Sequence, residues 1–168
     1  MTSRLPSTPW VPVIRTDFSD HGVWAHVKAR IGRVPPAGDE ARVTFVDDPA
    51  LAGRTVAELL ALGPDRLSHA LLLVVDEVTI RSREHAVLVV DLGIVPDAAN
   101  HWLGRPAGRS FRAVPGAVRS VENTLTLGLA DWDLLARRVD DDGVYRVRDQ
   151  SPVSPARRGP GQLSRKDG

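Results

Sequence analysis

The chain has 168 residues, and its hydrophobic share of 42% and charged share of 26% are ordinary for a folded domain. This length supports one hydrophobic core without help from metals or disulfides. The absence of cysteine excludes a disulfide framework, a thiolate zinc site and a cysteine nucleophile.

The formal net charge is only +1, and it is unevenly placed along the chain. Residues 149–168 carry four basic and two acidic side chains, which leaves residues 1–148 with one more acidic than basic residue. This body has no basic footprint for nucleic acid, so nucleic acid is not expected as a partner. No apolar run approaches the ~18 residues of a membrane span, and the first ten residues lack a signal-peptide core. We expect a cytoplasmic protein with no membrane partner.

Predicted strands and helices alternate through the first half of the chain: strands at 10–18 and 41–48, helices at 19–32 and 55–63. The first helix is predicted because apolar residues recur at helical spacing after a capping Ser or Asp. The second is predicted because Thr55 and Glu58 have the spacing of a capping box.

Two continuous apolar runs follow, "HALLLVVDE" at 69–77 and "HAVLVVDL" at 85–92. Such runs are typical of strands that are covered on both faces. Helices that alternate with strands favour βαβ units and a largely parallel sheet.

The remaining segments complete the predicted fold. The stretch from Gly93 to Gly108 lacks a sustained period and predicts a long surface loop, a feature that is often functional. Further predicted elements are strands at 109–114 and 119–127, a helix at 131–139 and a closing strand within 140–147.

These elements predict a single α/β domain over residues 1–148 with a three-layer arrangement. Its central sheet is expected to be mostly parallel, with five or six strands, about three helices and an antiparallel C-terminal edge. Residues 149–168 are rich in Pro, Gly and Ser and basic, with few apolar residues to bury, and predict a disordered tail.

Three segments carry a family resemblance: "IRTDFSDHGVW", "FVDDPALAG" and "VENTLTLGLADWDLLARRVDDDGVYR". They resemble an actinobacterial family of small proteins of unknown function, with an I-R-T-D-F-S-D-D opening, an E-N-N-L motif and a D-G-V-F-R close. This chain departs from that pattern at His21 and Thr124. The resemblance implies a fold and a cytoplasmic setting, and it implies no mechanism.

Acidic residues end most of the predicted strands: Asp17, Asp47, Asp48, Asp76, Glu77 and Asp91. Because α/β sheets bind ligands outside the carboxyl ends of their strands, these acids predict a site at one edge. Clustered carboxylates raise one another's pKa or bind a cation such as Mg²⁺. Asp17 and Asp76, each directly after an apolar strand, are the candidate catalytic residues, and Asp48 is a candidate ligand-binding residue. Helix capping and Asx turns are the commoner roles of such acids, and this alternative stays open.

Arg15, a candidate ligand-binding residue, interrupts the first apolar strand, so it must either lie on an exposed face or pair with a carboxylate. Asp17 lies two residues further on, on the same face, so a structural ion pair is favoured over an anion site.

Four further residues are candidate ligand-binding residues. Glu122 and Asn123 in "VENTL" either bind a polar ligand or satisfy backbone groups in a bend. His101 and Trp102 lie in the long loop and are expected to cover the pocket. His85 and His101 are also candidate general bases, although a plain surface position is the commoner role of such residues.

No nucleotide-cofactor or hydrolase motif is present in the sequence. The residues therefore predict a protein that binds a small polar ligand at an acidic carboxyl edge, with acid/base or Mg²⁺-assisted chemistry as one form of the hypothesis. The alternative is a non-catalytic regulatory or immunity-like protein that binds a partner protein.

Overall fold

A computed structural model describes residues 4–33, 41–62, 69–96, 102–104 and 107–147. The strands in these ranges are β1 (Val11–Arg15), β2 (Val43–Val46), β3 (Leu71–Val75), β4 (Val87–Asp91), β5 (Ile94–Pro96), β6 (Trp102–Gly104), β7 (Ser110–Ala113) and β8 (Val144–Tyr145). The α-helices are α1 (His21–Ile31), α2 (Val56–Ala61), α3 (Glu77–Arg81), α4 (Val118–Thr126) and α5 (Trp132–Ala136). Short 3₁₀ helices lie at Pro49–Leu51 and Pro115–Ala117.

Six of the described strands form one sheet in the order β2-β1-β3-β4-β7-β8. Strand β1 is parallel to both β2 and β3, and β8 is parallel to β7. The prediction of a single α/β domain with a mostly parallel sheet is thereby confirmed.

The antiparallel part of the sheet is β4, which lies inside the sheet and runs against both β3 and β7. The C-terminal edge strand β8 is parallel to its neighbour, so the antiparallel element is not at the predicted place. Connection length explains the difference. Only residues 76–86, with the five-residue α3, join β3 to β4, whereas a parallel crossover needs a dozen or more residues.

Helices cover the sheet on both faces and give three layers. One face packs against α1, α4 and α5 through residues such as Trp24, Val121 and Leu135. The other packs against α2 and the first 3₁₀ helix through Leu59 and Leu51. Every residue of β3 is buried because both of its faces are covered.

Local signals set the helix ends as predicted. The Asp20 carboxylate caps α1 by accepting a hydrogen bond from the Val23 amide at 2.9 Å. The predicted capping box of α2 is present: Glu58 accepts from the Thr55 amide at 2.8 Å, and the Thr55 hydroxyl accepts from the Glu58 amide at 3.3 Å.

One predicted strand is wrong. Residues 119–127 belong mostly to α4, where Val118, Val121 and Leu125 recur at helical spacing and pack on the sheet. The threonines and the β-branched valine of this segment resemble a strand composition, but its apolar residues do not alternate.

Parts of the segment from Gly93 to Gly108 that the structure describes form strands, where a loop was predicted. The segment contains β5 and β6, which pair antiparallel with Ile94 opposite Gly104. Residue 101 and the predicted tail at 149–168 lie outside the described residues, so those predictions stay untested. None of the helices in the described ranges is long and apolar enough to cross a membrane.

Candidate functional site

Five strands end at one edge of the main sheet, which we call the carboxyl edge. Strands β1, β2, β3, β7 and β8 all run in the same direction, so their carboxyl ends meet there beside the start of β4. Ligands of α/β proteins bind at such an edge. The side chains present at this edge therefore define the candidate site.

Arg15 is fully buried at the end of β1, and its carboxylate partner is Asp47 from the end of β2. Its Nη1 donates to Asp47 Oδ1 at 3.3 Å and lies 3.1 Å from His21 Nδ1. The guanidinium stacks on Phe18, 4.3 Å from the ring centroid. Trp24 Nε1 donates to the second Asp47 oxygen at 2.9 Å. Asp47 therefore binds an arginine and a tryptophan of the core.

The predicted ion pair between the Arg15 and Asp17 side chains does not form. Arg15 Nε donates instead to the main-chain oxygen of Asp17 at 2.9 Å. The Asp17 carboxylate turns into the next loop, where it accepts from the Ser19 amide at 2.7 Å. This is an Asx turn, the commoner role of such an acid.

Asp76 caps α3 and forms an ion pair with Arg112 of β7. Its Oδ1 accepts from the Thr79 amide at 2.9 Å, and Arg112 donates to its two oxygens at 3.0 and 2.7 Å. Burial raises the pKa of Asp76, but the hydrogen bonds from Arg112 and Thr79 outweigh burial and lower the pKa from 3.8. A carboxylate held ionised in this way is a weak base. Catalysis by Asp17 and Asp76 stays a prediction.

The backbone places Asp17 and Asp76 at neighbouring strand ends, as predicted. The Asp17 amide donates to the Val75 oxygen at 3.3 Å, directly before Asp76. The two carboxylates nevertheless point to separate partners, Ser19 and Arg112.

The other predicted site residues that the structure describes lie on different elements. Asp48 caps the first 3₁₀ helix by accepting from the Ala50 amide at 2.9 Å. Glu122 is buried on α4, 3.4 Å from the amide of Arg42 near the amino end of β2, and Asn123 follows it. Trp102 lies in β6, and His101 is outside the described residues. Glu122 therefore lies near the start of β2, whereas Asp17 and Asp76 follow the ends of β1 and β3.

Asp91 lies at the opposite edge of the sheet, because β4 runs antiparallel to β3. It is buried there and accepts two hydrogen bonds from Arg109 at 2.6 and 3.0 Å. The prediction that Asp91 joins a row of acids at one edge is therefore wrong.

An open pocket of about 480 Å³ lies at the carboxyl edge, between the ends of β7 and β8 and the start of β4. We call it the basic pocket. Its charged and imidazole side chains are His26, Arg30, Arg83, Glu84, His85 and Arg146. Residues Val114–Ala117 form its apolar wall.

Arg146 lines this pocket and is held by three carboxylates. It donates to Glu84 through two nitrogens, to Asp140 at 2.9 Å and to Asp142 at 2.7 Å. Glu84, Asp142 and Asp140 together raise the pKa of Arg146, and Arg146 in turn lowers the pKa of Glu84 and of Asp142. One guanidinium charge is thus shared among three carboxylates, and both Glu84 oxygens accept hydrogen bonds from Arg146.

Arg30 and Arg83 differ from Arg146, because neither forms an ion pair with any described residue. Both side chains are exposed. The guanidinium of Arg30 passes close to the second 3₁₀ helix, 3.8 Å from the position a Cβ would take at Gly116. The basic pocket therefore has two cations with free hydrogen-bond donors.

His85 is held in a defined orientation at the pocket. Its Nδ1 lies 3.0 Å from the Thr79 main-chain oxygen. A carbonyl oxygen only accepts, so the proton of a neutral His85 ring is assigned to Nδ1. The His26 ring meets the His85 ring edge to face, with centroids 5.7 Å apart.

The described side chains offer no metal centre: nowhere in these ranges do three His, Asp or Glu side chains converge to hold an ion. The polar side chains that line the basic pocket are mainly guanidinium and imidazole groups, which can donate hydrogen bonds.

These features define a small three-layer α/β protein with a mixed six-stranded sheet and a basic pocket at its carboxyl edge. Residues 10–148 match the family model described as Domain of unknown function (DUF6924), and the chain belongs to that family. The expectation of an uncharacterised family is confirmed, whereas the actinobacterial origin and motifs stay predictions. Comparisons with curated proteins and with solved structures found no match.

Proposed function

We propose that this protein binds a small anionic molecule in the basic pocket. The observation that carries the proposal is the pair Arg30 and Arg83, two exposed guanidinium groups without a carboxylate partner among the described residues, in a concave site. Charge-assisted hydrogen bonds from arginine to an anion are among the strongest that proteins make. The position at the carboxyl edge agrees with the usual place of ligands in α/β folds.

We thus retain the small polar ligand predicted from the sequence, but we assign it to the basic pocket and not to the acids at the ends of β1, β2 and β3. The acids at the ends of β1, β2 and β3 already have partners, since Asp47 binds Arg15 and Asp76 binds Arg112. A ligand that displaced Arg112 from Asp76 would leave two mostly buried charges unpaired, because these side chains are 20% and 26% exposed, at a cost of about 3 kcal/mol.

Removal of the two free arginines is expected to abolish most of the affinity. Isothermal titration with inorganic phosphate, malate and citrate compares the wild type with the Arg30→Gln/Arg83→Gln variant. Each lost charge-assisted hydrogen bond costs about 1.5 kcal/mol, so we expect Kd to rise at least about tenfold.

Arg54→Gln is the matched control for this variant. Arg54 is also on the surface, pairs with Glu58 at 3.2 Å and does not line the basic pocket. Its replacement is expected to leave anion affinity unchanged. Equal affinity in the wild type and the double variant contradicts the proposal.

Acid/base catalysis by Asp17 and Asp76 and a role for Mg²⁺ make a separate prediction. The same titrations with MgCl₂ on the wild type and on Asp17→Asn test it. A magnesium signal that Asp17→Asn removes supports this chemistry, and an identical response of both proteins argues against it.

A second candidate function, binding of another protein, rests on three exposed leucines in and around the α4–α5 connection. Leu127 is 65% exposed, Leu129 71% and Leu134 43%. Exposed apolar surface of this kind is typical of protein interfaces. Light scattering over a wide concentration range tests self-association: a dimer that Leu129→Ser dissociates supports it, and a monomer throughout opposes it.

A further inference from the structure

We infer that His85 makes the basic pocket select anions that carry their own O–H donor, such as hydrogen phosphate or a 2-hydroxycarboxylate. This inference rests on the proposed function, since it assigns a ligand class to the same pocket. Arg30 and Arg83 supply charge to any anion. His85 distinguishes anions of similar size and charge by whether they carry an O–H group that can donate to it.

The neutral His85 ring is assigned the tautomer with its proton on Nδ1. With the Nδ1 proton given to the Thr79 carbonyl, the other nitrogen, Nε2, carries a lone pair in the neutral imidazole and accepts a hydrogen bond. No described residue forms a hydrogen bond with Nε2. An acceptor thus remains available to the pocket that His85 lines.

The backbone conformation at His85 is also unusual. His85 is the one residue other than glycine in the described ranges with a positive φ, at 51°. Its amide donates to the Ser82 oxygen at 3.2 Å, which anchors the turn between α3 and β4. A side chain in this conformation is strained in a way that glycine avoids. Strained residues of this kind cluster at functional sites.

Most polar groups around an anion in the basic pocket donate hydrogen bonds, whereas His85 Nε2 accepts one. Arg30 and Arg83 can only donate, and both Glu84 oxygens already accept from Arg146. The exposed His26 ring forms no hydrogen bond with a described residue, so it can turn either a donor or an acceptor to an anion and does not discriminate. An anion without a proton places an oxygen lone pair against the Nε2 lone pair, which is unfavourable. Hydrogen phosphate gives Nε2 a donor and leaves its other oxygens to the arginines.

Sulfate and succinate are the matched competitors, because they resemble hydrogen phosphate and malate in size and charge and lack the O–H group. At about pH 8, above the reference pKa of free imidazole, we expect the wild type to bind phosphate at least about tenfold more tightly than sulfate. Malate is expected to bind more tightly than succinate by a similar factor.

His85→Asn tests the role of Nε2 with little change to the turn. Asparagine tolerates the left-handed backbone conformation, and its amide can donate to the Thr79 carbonyl, but it has no counterpart of Nε2. We expect this variant to bind phosphate and sulfate equally within about twofold. His69→Asn, the same change at a histidine that does not line the pocket, is expected to retain the wild-type preference.

The outcomes separate the inference from the proposed function. Equal binding of phosphate and sulfate by the wild type, or an undiminished preference in His85→Asn with a native circular dichroism spectrum, overturns the inference and leaves anion binding intact. Absence of binding for all four anions overturns both.

Discussion

Replacement of Asp76 by alanine is expected to lower the free energy of unfolding by about 3 kcal/mol. The variant loses the N-cap of α3, and it leaves Arg112, only 20% exposed, without its carboxylate. Loss of a cap costs about 1 kcal/mol, and an uncompensated, mostly buried charge accounts for the rest. Urea unfolding monitored by tryptophan fluorescence gives the value.

Asp131→Ala is the control for the capping part of this effect. Asp131 caps α5 in the same way, 2.8 Å from the Leu134 amide, but it forms no ion pair within the described structure. Its loss is expected to cost about 1 kcal/mol. An Asp76→Ala cost no larger than this control means that the pair with Arg112 contributes nothing.

Acid pH gives a second measurement of the same pair. The folded pKa of Asp76 is lowered, so its stabilising effect is complete above the ordinary value of 3.8 and is lost as pH falls through the folded pKa. The stability difference between the wild type and Asp76→Asn is therefore expected to shrink in acid. A constant difference down to about pH 2 contradicts the lowered pKa.

Replacement of Arg15 by alanine is expected to cost about 3 kcal/mol, and replacement by methionine only about 1 kcal/mol. Arg15 has no exposed surface, so alanine leaves a cavity beside Phe18 and Trp24. Methionine fills most of that space. The Nη2 of Arg15 is buried without a hydrogen-bond partner in the described structure, which limits what the charge itself contributes.

Comparison of the two Arg15 variants separates packing from charge. The remaining partner, Asp47, is 47% exposed at its side chain, so water hydrates its carboxylate once the arginine is gone. Equal destabilisation by alanine and methionine contradicts this account, because it assigns the stability to the hydrogen bonds with Asp47 and His21.

Local signals in the sequence were sufficient for most elements of the fold. Caps such as Asp20 and Thr55 act within four residues, so their effect can be predicted without tertiary structure. The direction of β4 could not be predicted from its own residues, since a continuous apolar run looks the same in both directions. The short connection at 76–86 was the signal for an antiparallel return.

Distant residues decide the chemistry of the carboxyl edge, and for that reason the site could be predicted only in part. The sequence placed Asp17 and Asp76 at adjacent strand ends, but the partner of Asp76 is Arg112, 36 residues away. Likewise Arg15 pairs with Asp47, 32 residues away, in preference to its near neighbour Asp17. Sequence spacing does not show which of several charged groups comes close in space.

The basic pocket was missed because four separate segments build it: α1, the α3–β4 turn, the end of β7 and the end of β8. Two weak signals were present. His26 and Arg30 are one helical turn apart on the exposed face of α1, and His85 was already a candidate base. Neither signal shows that the two segments lie side by side, because their proximity depends on the order of the strands in the sheet.

The most direct test of anion binding in the basic pocket is a ¹H–¹⁵N correlation spectrum recorded during titration with inorganic phosphate. We expect saturable shifts of the amide signals of residues 26, 30, 83–85, 116–117 and 146–147, which line the pocket. In the Arg30→Gln/Arg83→Gln variant, half-saturation of these shifts is expected to need at least about tenfold more phosphate. Shifts confined to residues 16–20 and 76, at the ends of β1 and β3, or no saturable shift at all, would contradict the proposed site.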